Sequence, residues 1–218
     1  VTVDGAPGRA QTLAERLAAA IRDRAPAFAA SLPTAAAAIA LALATPGPVA
    51  VLEPGDNPLS GGGADTPGLF RALLEARPPS PALFAFFWDP DLVARAALAG
   101  PGAWISARLG GGPAADYGAP PPVGARGRRP THGRFVNEGP MERGLAVDQG
   151  PTAVLAVQGI EVVVTSACQA VNDPAWFALH GVAPESLRLL AVKAKNHFRA
   201  AFGQRFARLV DCDTPGPA

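Results

Sequence analysis

Hydrophobic positions change their spacing several times along this chain, and each change marks an element. Leu13, Leu17, Ala20, Ile21 and Phe28 recur at helical spacing, which predicts an amphipathic helix over residues 10–25, interrupted by Pro26. Thr34 can cap a second helix that runs to Leu43 and ends at Thr45-Pro46-Gly47. Residues 49–53 read as a short buried strand. After a glycine-rich loop, residues 67–76 read as a helix, and its Thr66-Pro67 start loses no hydrogen bond. Residues 82–87 form an apolar run that predicts another buried strand, followed by a helix over 91–98 that stops at Gly100-Pro101. Strand, helix, strand, helix in succession favours parallel pairing.

From Trp104 the texture changes. Residues 104–109, 123–128, 134–136, 152–157 and 161–165 read as short strands between glycine and proline turns, with Gln158-Gly159 as a tight hairpin. Residues 110–122 are too rich in glycine and proline for a packed element and read as a surface loop. A helix over 173–179, a buried strand over 187–192, a short helix over 198–202 and a last strand over 206–210 follow. Residues 1–5 look like a strand end cut from something longer. The expected fold is α/β: a mixed sheet with flanking helices and an antiparallel β-rich middle section. Residues 1–218 are assigned to one domain, with a disordered Pro/Gly-rich tail over 211–218.

Composition narrows the function classes. A net charge of +1 gives no long-range field toward nucleic acid or an anionic membrane. The longest apolar run, residues 35–44, falls short of the roughly 20 residues of a spanning helix. Cys168 and Cys212 fit no zinc or redox spacing, and a single disulfide between them stays open. A reducing cytoplasm is the simplest setting. Among 19 basic residues only Lys193 and Lys195 are lysine, and alanine, glycine and proline abound. In such a sequence lysine and asparagine stand out as positions where arginine or aspartate would not serve. Lys193, Lys195 and Asn196 cluster, and Asn57 sits in the glycine loop.

Two segments carry candidate chemistry. The first is the loop Asp56-Asn57-Pro58-Leu59-Ser60-Gly61-Gly62-Gly63-Ala64-Asp65-Thr66, beyond the carboxyl end of a strand, where open α/β sheets gather ligands. It lacks the Lys-Ser or Lys-Thr of a P-loop and the third glycine of a dinucleotide fingerprint, and Asp56 and Asp65 would repel phosphate. It is therefore either a tight structural connection or the wall of a pocket for a polar, amide-bearing ligand. The second is Lys193-Ala194-Lys195-Asn196-His197-Phe198-Arg199, which could hold a carboxylate or donate protons, or simply open a solvated helix. His132 and His180 read as structural, His180 as a helix-end residue suited to the dipole. The three histidines show no ligand spacing, so a metal site built within this chain is not expected. No Gly-x-Ser-x-Gly elbow is present, and Arg126, Arg128 and Arg129 lack the aromatic interleaving of a nucleic-acid surface.

Taken in order, these residues resemble the C-terminal domain of the microcystinase C (MlrC) family. The resemblance rests on Asp56-Asn57-Pro58 with the glycines, Asp65-Thr66, and Leu69-Phe70-Arg71-Ala72-Leu73-Leu74. It continues through Gly133-Arg134-Phe135, Gly139-Pro140-Met141, Gly150-Pro151-Thr152-Ala153-Val154-Leu155 and Val162-Val163-Val164-Thr165-Ser166. It ends on Lys193 and His197-Phe198-Arg199-Ala200-Ala201-Phe202. It departs at Ala64, where the family usually carries glycine, and at Ala194, where it often carries serine. The resemblance implies a bacterial zinc peptidase or amide hydrolase whose zinc ligands lie in an N-terminal catalytic domain that precedes this region. This chain alone would then be inactive and bind no zinc. Its partners would be that N-terminal domain and a peptide or amide substrate. The expected substrate-binding residues are Asp56, Asn57, Gly61, Gly62, Gly63, Asp65, Thr66 and Arg199. Lys193 and His197 are the catalytic candidates, for a substrate carboxylate or an oxyanion. The alternative is a non-catalytic α/β module that holds a small ligand or a partner through the glycine loop.

Overall fold

A computed structural model of the chain describes residues 1–28, 30–79, 81–112 and 115–218. Residues 1–32 form one compact unit and residues 33–218 a second. The first unit holds helix α1 (Pro7–Asp23), with proline at its first turn, and a short 3-10 turn over Ala25–Phe28. Residues 1–5 contain no strand, only irregular chain and a turn, contrary to the sequence expectation.

The second unit begins with α2 (Ala35–Ala44), whose first turn is capped by the Thr34 side chain accepting from the Ala37 N–H. Strand β1 (Val49–Leu52) is followed by the glycine loop and α3 (Gly68–Ala76). Then come β2 (Ala82–Trp88), α4 (Pro90–Ala99), capped by Asp89, and β3 (Trp104–Arg108). Strand β4 (Pro122–Thr131) follows, then the short pair β5 (Arg134–Val136) and β6 (Ala146–Asp148), then β7 (Thr152–Val157) and β8 (Ile160–Thr165). Helix α5 (Pro174–Leu179), strand β9 (Leu189–Val192), helix α6 (Asn196–Phe202) and strand β10 (Arg208–Asp211) complete it. Of the loop expected at 110–122, residues 113 and 114 lie outside the described residues.

Eight strands form one sheet in the order β10-β1-β9-β2-β8-β7-β4-β3, and β5 pairs only with β6. The first five are parallel and the rest antiparallel, so the sheet is mixed, as expected. β1 and β2 are both parallel strands but not neighbours, because β9 enters between them. Period-2 alternation then splits the core. Val49, Val51, Phe84 and Leu189 face α2, α3 and α4, while Ala50, Leu52, Ala85 and Val192 face α5 and α6. The closing segment does not hang free. Cys212 and Thr214 are buried, and the Ala218 N–H donates to the Gly55 carbonyl at 2.9 Å. Gly216 packs against Gly55 in the turn after β1, while Pro215 and Pro217 are exposed.

Candidate functional site

The carboxyl ends of β1, β2, β8 and β9 lie side by side, and the loops that leave them lace together. Leu52 and Val192 are in register on β1 and β9, so the next residues, Glu53 and Lys193, emerge at the same level. A 3-10 turn over Pro54–Asp56 brings Asp56 back over the strand ends. Lys193 is fully buried. Its Nζ lies 2.7 Å from Glu53 Oε2, 2.7 Å from Asp56 Oδ2, 2.8 Å from the Thr66 carbonyl and 2.9 Å from Thr66 Oγ1. The stacked rings of Phe84 and Phe87 stand 5.7 and 5.5 Å from the same nitrogen. The ammonium thus meets two carboxylates, a carbonyl, a hydroxyl and aromatic faces.

Asp56 is the hub of the loop. Its Oδ1 accepts the Ala64 N–H at 2.8 Å, and its Oδ2 accepts the Thr66 N–H at 2.8 Å and hydroxyl at 2.9 Å. Burial pushes its carboxyl pKa up, but Lys193 and the Thr66 donors overcome this and hold it below the ordinary carboxylate value. One carboxylate thereby closes the whole excursion from residue 56 to residue 66. Gly62 is part of the closure: a Cβ there would lie 2.4 Å from the Asp56 carbonyl carbon. Asn57 accepts the Leu59 N–H and donates to Ser60 Oγ, a local turn. Ala64 sits at φ +53°, the left-handed region that favours glycine.

Neighbouring loops fasten onto this one. The Trp88 N–H donates to the Ala64 carbonyl, and the Trp88 indole donates to the Ser166 carbonyl after β8. Cys168 Sγ lies 3.8 Å from the Gly62 carbonyl. Burial, with Asp56 and Asp65 nearby, pushes its thiol up to about 11, so it stays protonated near neutrality. A cavity of about 280 Å³ opens beside the loop, lined by Asp65, Trp88, Asp89, Asp91 and Gly110 among others.

The expected site residues therefore separate. Asp56, Thr66 and Lys193 form an internal knot beneath the loop. The donors of Lys193 are engaged within the fold and no part of it reaches solvent, in contrast to the direct substrate contact expected for these three. Asn57 is buried in its own turn. Gly61 and His197 are exposed, Gly63 is half-buried, and Asp65 lines the cavity. Arg199 is half-buried and ion-paired with Asp211, tying α6 to β10. Glu53 belongs to the knot and was not among the expected residues; it reads as the end of a strand, and only the register of β1 on β9 reveals it. Among the described residues, no three His, Cys, Asp or Glu side chains are grouped so as to hold a metal ion. The carboxylates of the knot are filled by a lysine instead, so zinc does not fit these residues.

The family model described as MlrC C-terminus matches residues 51–218. This chain belongs to the MlrC C-terminus family. It is 30% identical over 160 residues to Microcystinase C of a Sphingomonas species, which covers 73% of this chain and 31% of that protein. The crystal structure at 2.13 Å of a candidate metallopeptidase from Mesorhizobium sp. BNC1 matches with a TM-score of 0.81 at 29% identity, over 90% of this chain and 39% of that one. The MlrC-type chain thus spans about a third of its curated relative, and its relatives are peptidase-like. No helix among the described residues is long and apolar enough to cross a membrane.

Proposed function

We propose that this chain forms one wall of the substrate cleft in a zinc-dependent peptidase or amide hydrolase, with the zinc held by a preceding N-terminal domain. The observation that carries the reading is the pinned glycine loop. A 0% exposed lysine and two buried carboxylates immobilise it at the carboxyl edge of parallel strands, and Gly61 is left open on its outer turn. Such immobility is what a positioning surface needs. Polar chemistry stands beside it: the exposed His197 opens α6 just past β9, and the buried Asp65 lines the adjoining cavity. Lys193 then acts as a positioning residue, and His197 as the group that reaches a substrate carboxylate or oxyanion. Cys168 and Cys212 are free thiols, in keeping with a bacterial cytoplasmic setting.

His197→Ala in the full-length protein is expected to lower peptide turnover at least tenfold; unchanged kinetics would remove the role. A binding module without catalysis is the second reading. It is favoured by the acidic cavity, which needs no metal to hold an amide or cationic group. A full-length protein that binds zinc and cleaves peptides excludes it.

A further inference from the structure

Helix α1 is amphipathic, yet the described residues leave its apolar side open. Leu13, Leu17 and Ile21 recur every four residues and line one stripe of the helix. They are 37%, 54% and 50% exposed, and no residue of the helix is buried. Nor is α1 built to stand alone. Ala6, at its N-cap, supplies no side-chain hydrogen bond, and its first turn carries Arg9 and no acidic residue, which opposes the helix dipole. A helix of this kind draws most of its stability from packing of its apolar face. By contrast, α2 and α4 are capped by Thr34 and Asp89 and each buries several residues.

Charge narrows the partner. Arg9 and Arg16 stand four residues before and three after Leu13, so both lie along one rim of the stripe. Both are exposed, and neither is ion-paired among the described residues. An antiparallel pair of α1 helices from two copies would bring these arginine rims together. The pattern favours instead an apolar groove with carboxylates along one side.

The length of the relatives narrows it further. Residues 33–218 make up 186 of the 218 residues, about 85% of the chain. The match to the Mesorhizobium structure covers 90% of the chain, so it reaches into the first unit, and it accounts for only 39% of that longer chain. Part of the first unit therefore has a counterpart in a protein with ample further chain to cover it. The MlrC C-terminus model begins at residue 51, which leaves α1 outside the region that defines the family.

We infer that the stripe of Leu13, Leu17 and Ile21 docks into an apolar, acid-rimmed groove of the domain that precedes this chain in a longer protein. This rests on the reading above that such a domain exists, and it names the surface that holds it.

The test is hydrogen exchange, read by mass spectrometry, on this chain and on the full-length protein. Amides of α1 are expected to exchange about tenfold or more slowly in the full-length protein. Leu17→Glu alters an exposed residue and keeps helix propensity. In the full-length protein it is expected to return α1 to the exchange rate of this chain while β1 and β9 stay protected. Arg9→Glu combined with Arg16→Glu is expected to weaken the protection as well. Equal exchange of α1 in the two forms, or protection untouched by Leu17→Glu, would overturn the docking face. Protection in this chain that grows with its concentration, with a dimer in sedimentation, would overturn it in favour of a second copy. A full-length protein that holds zinc and cleaves peptides while α1 exchanges as in this chain loses the docking face and keeps the peptidase reading. One with α1 protected but neither zinc nor hydrolysis keeps the docking face and loses the peptidase reading.

Discussion

Lys193 carries its charge where none of its surface meets water. Replacing it with a neutral side chain would strand Glu53 and Asp56 as uncompensated buried carboxylates. Lys193→Met is therefore expected to cost about 3–5 kcal/mol of stability, the usual penalty for removing one partner of a buried pair. Urea denaturation measures it, and an unchanged midpoint would show that the knot does not hold the fold. His180 carries a second residue-scale consequence. Burial and the nearby Arg129 push its pKa down to about 4 from 6.5. Gln149 Nε2 lies 3.3 Å from its Nε2, and its Nδ1 has no partner among the described residues, so the ring is held neutral. A neutral ring gains little from the helix dipole, although the residue does sit at the end of α5 as its sequence position suggests. A neutral form favoured on folding contributes stability fully above pH 6.5, and that stability is lost as pH falls from 6.5 toward 4. The loss comes to roughly 3 kcal/mol. His180→Gln is expected to shrink the acid-induced loss of unfolding free energy between pH 7.5 and 4 by about that amount. Identical pH profiles would contradict it.

At the scale of elements, the glycine loop is strained at one point. Ala64 is buried at φ +53°, with its N–H on Asp56 and its carbonyl on Trp88. A left-handed non-glycine residue costs about 1–2 kcal/mol, and glycine recovers it less roughly 0.5–1 kcal/mol of chain entropy. Ala64→Gly is thus expected to raise Tm by about 1–3 °C. A lower Tm would mean that the alanine methyl packs better than the strain costs. Most elements were legible in the sequence because their signals are local: Asp89-Pro90 starts α4, and Gln158-Gly159, both at positive φ, joins β7 to β8. Strand order was not legible. The entry of β9 between β1 and β2, and the separation of β5 and β6 into their own sheet, depend on packing across long stretches of chain. β6 itself has three residues and too little pattern to be seen.

For the whole molecule, the same contrast governs the site. The loop and Lys193 stood out, the one by its glycines and the other because lysine is rare in this chain. Their relation did not, because Glu53 and Lys193 are 140 residues apart and meet only through sheet register. From sequence alone Lys193 suggests a substrate contact, whereas the fold turns it inward to brace the loop. Bracing of the loop by a buried lysine is what the proposed division of work between this region and a zinc-holding domain rests on. Elemental analysis for zinc, on this chain and on the full-length protein after dialysis, tests that division most directly. The account predicts stoichiometric zinc in the full-length protein and none in this chain. Zinc retained by this chain, or its absence from both, would contradict it.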